Sequence, residues 1–163
     1  MLWCLEGEKR TVHYQNMLDS AMLDLLNLVG CDSDTACNAQ EQILHVMIPD
    51  KNYLYYNCFL TEIYCRRAAF RMEEADYDNA VKMLTQAFYH ANEYDRFMDG
   101  KVSEKSCPFF DKMQWNIKEI CKTGPSTKTA VEDMMDYLKS PLFDLLRERD
   151  DFLQITDGIP ESQ

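Results

Sequence analysis

Asn57, Tyr64, Arg67 and Arg71 share one side of a segment with helical periodicity, separated by seven, three and four residues. Each of the two guanidinium groups, one turn apart, is a planar fork that can hold a carboxylate by two parallel N–H···O bonds. An asparagine amide adds a hydrogen-bond donor, and a tyrosine ring flanks apolar contact. In a groove between helices, such a face suits an extended peptide or a carboxylate. The same residues also admit a structural reading, with Tyr64 in the core and the arginines paired with Glu62, Glu73 and Glu74. As binding residues they carry a definite expectation. Losing one charge-assisted bond should weaken binding by about 1.5–3 kcal/mol, and Arg67→Ala and Arg71→Ala should leave thermal stability nearly unchanged.

No comparable constellation points to catalysis. The sequence has no GxGxxG, no phosphate-binding Walker loop, no GxSxG elbow and no HExxH. His13, His45 and His90 fall in three different predicted helices, and His90 reads as a surface histidine near a helix C-terminus. The pairs Glu73/Glu74 and Asp150/Asp151 sit in exposed contexts, without the cleft that would raise a carboxylate pKa for acid–base work. Seven cysteines without a CxxC give neither a zinc pattern nor a dense disulfide framework. Cys58 and Cys65, seven apart, share a helix face and read as small packing thiols. The chain therefore reads as a non-enzyme with no cofactor and no metal site.

Charge narrows the partners. With 17 Lys plus Arg against 28 Asp plus Glu, the net charge of -11 opposes phosphate contact, so this segment is not expected to bind nucleic acid. Lys101, Lys105, Lys112, Lys118, Lys122 and Lys128 make a local excess over Glu104, Asp111 and Glu119, which reads as a solvated face. No apolar run approaches the roughly 20 residues that span a bilayer. Met1-Leu2-Trp3-Cys4-Leu5 leads directly into Glu6-Gly7-Glu8-Lys9-Arg10, unlike a secretory signal. The expectation is a soluble, cytoplasmic protein whose partner is a protein or peptide, with a homodimer as one option.

The elements that must position these residues are all helical. Seven helices are predicted in one all-α domain over 1–155, with a polar, frayed tail over 156–163. The first runs from about Glu8 to Val29 and stops at Gly30. The second spans about Thr35 to Met47, capped by Ser33 or Asp34, with Ala36, Ala39, Ile43, Val46 and Met47 as its apolar stripe. The third starts after Asp50 and ends near Glu73; the fourth follows and ends near Tyr94. Pro108 opens the fifth, with Phe110, Met113, Ile117 and Ile120 on one side. The sixth, after Gly124-Pro125, buries Ala130, Val131, Met134, Met135 and Leu138. Ser140-Pro141 begins the last, from Leu142 to about Ile155.

The fourth segment, from Ala75 to Ala91, resembles the second helix of a tetratricopeptide (TPR) repeat. Ala80 and Ala87 are its small positions, and Tyr77, Leu84 and Phe88 its bulky ones. Counting back, Ala68 and Tyr64 match the first helix of the repeat. Arg71 stands where an aromatic is usual, and Ala75 replaces the turn glycine. His90-Ala91-Asn92-Glu93-Tyr94-Asp95, followed by Ser106-Cys107-Pro108-Phe109-Phe110-Asp111, resembles the HAxxYD…TSPFxD pattern of some bacterial helix-turn-helix regulators, with Cys107 in place of a serine. Pro141 to Phe152 is similar to their FDPLRDDPRF capping element, with Leu145 in place of a proline. The resemblance covers about residues 50–155. It implies a TPR-like antiparallel helix-pair stack acting as the effector half of a Cro-like transcriptional regulator, in sensing, dimerisation or peptide binding. A stand-alone scaffold or adaptor is the alternative, and a small hydrolase or metal enzyme the most distant one.

Overall fold

Capping side chains and positive-φ turns divide the chain into helices whose apolar sides meet. The computed structural model describes residues 7–101, 107, 109–112 and 128–158, and among these there is no strand. Helix α1 (Gly7–Val29) ends at Gly30, whose φ of 67° reverses the chain. Helix α2 (Asp34–Met47) starts from Ser33, whose hydroxyl accepts the Ala36 N–H. A 3-10 turn (Leu54–Tyr56) leads into α3 (Asn57–Glu73). Helix α4 (Tyr77–Met98) is capped by Asp76, which accepts the Asn79 N–H. Helix α5 (Ala130–Leu138) opens with a reciprocal capping box between Thr129 and Glu132. A second 3-10 turn (Pro141–Leu146) and α6 (Asp150–Thr156) complete the described chain.

Helices α3 and α4 make the most extensive pairing, with α2 on one side of α3 and α5 against α4. Ala68, Ala80, Ala87 and Ala91 are fully buried, so the backbones approach closely. Leu60, Leu84 and Phe88 fill the spaces beside them. The turn between α3 and α4 places Ala75 at φ 58°, the conformation for which glycine is the unstrained residue.

Several residues of the regulator-like motifs have structural tasks. The Asp95 carboxylate accepts the N–H groups of Ala130 (2.8 Å) and Val131 (3.1 Å), docking the start of α5 onto α4. Phe110 is fully buried against Tyr56, and the Asp111 carboxylate accepts from Gln15 of α1 at 2.8 Å. Replacing Asp95 with alanine leaves two helix N-terminal donors without this acceptor. It should cost about 1–2 kcal/mol, read as a lower denaturation midpoint with an unchanged slope.

Three expectations are corrected. The α2 stripe is misphased: α2 buries Cys37, Gln40, Glu41 and Leu44, while Val46 is 71% exposed. Half of that inner face is polar: Gln40 donates to the Leu26 carbonyl at 2.8 Å and Glu41 meets Arg67. The last helix is two pieces. Phe143 and Phe152, both buried, would lie on opposite sides of a continuous helix, since nine residues at roughly 100° each make two and a half turns. The break around Arg149, whose backbone is extended, lets both rings enter the core. The cysteines, read as giving no disulfide framework, include one bridge, which joins Cys31 and Cys37 across the α1–α2 turn. The fifth predicted helix lies outside the described residues except for the turn 109–112, and most of the predicted tail does too.

Candidate functional site

Helix α3 carries all four residues singled out for peptide binding, and the fold turns them toward α2 and α4. Arg67 donates from Nε to Asp34 at 3.0 Å and from a terminal nitrogen to Glu41 at 2.5 Å. Arg71 pairs with the second oxygen of Asp34 at 2.6 Å and with Glu74 at 2.5 Å. The Tyr64 hydroxyl donates to Glu41. Burial, reinforced by that bond, raises the Tyr64 pKa well above the ordinary phenol range. Asn57 donates to the Leu54 carbonyl at 3.0 Å, and its Oδ1 meets His90 Nδ1 at 2.8 Å. A peptide carboxylate would therefore have to displace Asp34 and Glu41 to reach the two arginines.

The polar layer continues into a small cavity of about 300 Å³ between α2, α3 and α4. His45, Tyr53, Asn57, Tyr64, Tyr89 and His90 contribute to its wall. His90 is buried, not at the surface as its helix-end position suggested, because α4 extends to Met98 and its ring stacks on Tyr64 at 5.5 Å. Burial, then the neighbouring His45, lowers its pKa to about 4. The neutral ring donates from Nδ1 to Asn57 Oδ1, because Asn57 uses its NH₂ on Leu54. The Tyr53 hydroxyl is buried and has no hydrogen-bond partner among the described residues.

The opposite side of α3 is open. A groove of about 860 Å³ runs between α3 and α5, reached also by the α1–α2 turn and by Tyr94. Its α3 wall carries the small side chains Cys58, Thr61, Cys65 and Ala69, at intervals of three and four residues, with Phe70 beside them. Met134 and Tyr137 face them from α5, and the Glu62–Arg66 pair and Asp133 add charge. Burial pushes the Cys58 and Cys65 thiols up to about 12, so both are protonated at neutral pH. A protonated thiol is a poor nucleophile and a poor metal ligand, and both cysteines act here as apolar surface. Among the described residues no three His, Cys, Asp or Glu side chains gather as a metal site. No helix among them is long and apolar enough to cross a membrane.

The sequence signal for this groove was present in the shared face of Cys58 and Cys65. The pattern alone does not separate it from packing, because small residues at helical spacing serve a close helix contact and a groove floor equally well. No family model, no curated protein and no solved structure matches the chain.

Proposed function

We propose that the chain is a non-catalytic interaction domain, a TPR-like helix-pair stack that holds an extended peptide or partner segment in the α3–α5 groove. The observation that carries this reading is the groove itself. Small side chains of α3, with Phe70 beside them, face Met134 and Tyr137 across a cleft of about 860 Å³, within the range usual for ligand sites. Apolar lining with a few charged groups at hand suits a peptide whose side chains alternate in polarity. The protonated thiols supply adaptable apolar contact. The resemblance of the HAxxYD and capping motifs supports placing this domain as the cytoplasmic effector part of a bacterial helix-turn-helix regulator. In that role, peptide occupancy would be the sensed signal, and DNA contact would belong to another domain.

A peptide-library screen by fluorescence polarisation tests the reading, with Thr61→Trp and Ala69→Trp as filled-groove variants. Both positions are partly exposed, so circular dichroism should stay helical. Binding of any peptide found should weaken at least about tenfold, equivalent to roughly 1.4 kcal/mol. Unchanged affinity in both variants would place the site elsewhere.

A further inference from the structure

The solvent side of α1 carries an apolar stripe, set among His13, Asn16 and Ser20, that nothing among the described residues covers. Within the chain α1 buries Gln15, Met22 and Leu26. At about 100° per residue, Tyr14, Met17, Ala21 and Leu28 point well away from that side. Tyr14 is 50% exposed, Met17 53% and Leu28 83%. These residues are not scattered. Arg10, Tyr14, Met17, Ala21, Asp24 and Leu28 follow one another at alternating intervals of four and three. That is the spacing of a heptad seam, with Tyr14, Ala21 and Leu28 at one core position and Arg10, Met17 and Asp24 at the other. Leu18 and Leu25 lie beside the seam and continue into an apolar groove of about 420 Å³ that also includes Ile43, Val46 and Met47 of α2.

We propose that this seam is the interface of an antiparallel homodimer, α1 against the α1 of a second copy. Charge chooses both the occupant and the orientation. Arg10 near one end and Asp24 near the other are exposed, and no other group in the described chain pairs with them. A parallel pairing sets Asp24 beside the partner's Asp24 and Arg10 beside the partner's Arg10, which repels at both ends. Reversing the partner removes both repulsions.

Antiparallel helices match one core position against the other, and the matches then fall into a self-complementary set. Met17 meets the partner's Ala21, and by symmetry Ala21 meets the partner's Met17, so a long side chain faces a short one in both central layers. Tyr14 meets the partner's Asp24, a phenol donor against a carboxylate. Leu28 meets the aliphatic stem of the partner's Arg10, whose guanidinium then lies near Asp24, one turn inward from Leu28 on the same helix. Asp19, at the centre of the helix, is turned away and accepts the Tyr56 hydroxyl, so no like-charge pair forms at the two-fold axis. None of the seam residues lines the α3–α5 groove, so this interface stands independently of the peptide reading.

Sedimentation equilibrium of the full chain over a concentration series tests the proposal. The expected mass rises from 19.2 kDa toward twice that value as concentration increases. Met17→Lys should raise the dissociation constant at least about tenfold, the equivalent of roughly 1.4 kcal/mol. Its circular dichroism should not change, because Met17 is already half-exposed. Arg10→Asp should weaken the dimer, and adding Asp24→Arg in the same chain should restore it, because only the antiparallel pairing brings those ends together. A wild-type chain that stays monomeric throughout the series overturns the proposal. So does a dimer that is indifferent to Met17→Lys or is not rescued by the charge exchange.

Discussion

Arg67→Ala should lower the free energy of unfolding by about 3 kcal/mol or more, because it strips the counter-charge from a carboxylate that the fold has taken out of water. Glu41 is held between the Arg67 guanidinium and the Tyr64 hydroxyl, and its side chain is only 11% exposed. Arg67 also donates to Asp34, at the first turn of α2, so one guanidinium fastens two turns of α2 to α3. For a chain of this size the loss corresponds to a midpoint shift of roughly 6–12 °C. Arg71→Ala should cost less, since Arg71 holds Asp34 and the exposed Glu74 at the edge of the layer. The double variant Arg67→Met with Glu41→Gln removes both charges and leaves an amide oxygen to accept from Tyr64. It should recover much of the loss, since neutralising a buried pair costs less than orphaning one member. Urea denaturation of the three variants measures this. If Arg67→Ala keeps wild-type stability, the arginine is not structural, and the receptor role first read for it regains its basis.

That outcome also bears on what the sequence discloses and what it hides. Helix boundaries were legible where a local group sets them: Gly30 closes α1 and Ser33 caps α2, each through its own backbone or hydroxyl. The close contact of α3 with α4 was legible in Ala68, Ala80 and Ala87, whose size has a direct steric meaning. Phase was not legible for α2 and α3. Periodicity gives the spacing of a face but identifies it as inner only when that face is apolar. Here the meeting faces are mixed, with Gln40 and Glu41 beside Cys37 and Leu44 on α2 and Tyr64 and Arg67 on α3. A glutamate on a helix reads as solvated until its partner, 26 residues away, is brought to it. Asn57, Tyr64, Arg67 and Arg71 therefore lie on the side of α3 that packs, while the open side carries Cys58, Thr61, Cys65 and Ala69. His90 escaped for a related reason: nothing local marks a histidine in an amphipathic helix as buried, and its burial is set by Tyr64 and Asn57 from α3.

His90 makes stability depend on pH, and the sign follows from which state holds the proton. In the fold its pKa is lowered to about 4 from an ordinary 6.5, first by burial and then by His45. Above pH 6.5 the ring is neutral folded or unfolded, and the contribution is fully present. Between 6.5 and 4 the unfolded chain takes up a proton that the folded chain refuses, so stability falls as pH falls, by about 1.4 kcal/mol per unit. At pH 4.5 the loss relative to pH 7 should reach about 2.5 kcal/mol, and below pH 4 this group adds no further slope. The cavity cannot welcome the charge. Asn57 already accepts from Nδ1, Tyr64 and Tyr53 present ring faces and edges, and Glu93 is held by Arg96. His90→Gln can still donate an amide N–H to Asn57, and it removes the titration. Denaturant melts of both proteins at pH 7 and 4.5 separate this term from acid effects common to the two. The wild type should lose about 2.5 kcal/mol more than the variant over that interval. Parallel losses would mean that His90 takes its proton in the folded state, and that the cavity opens to admit it.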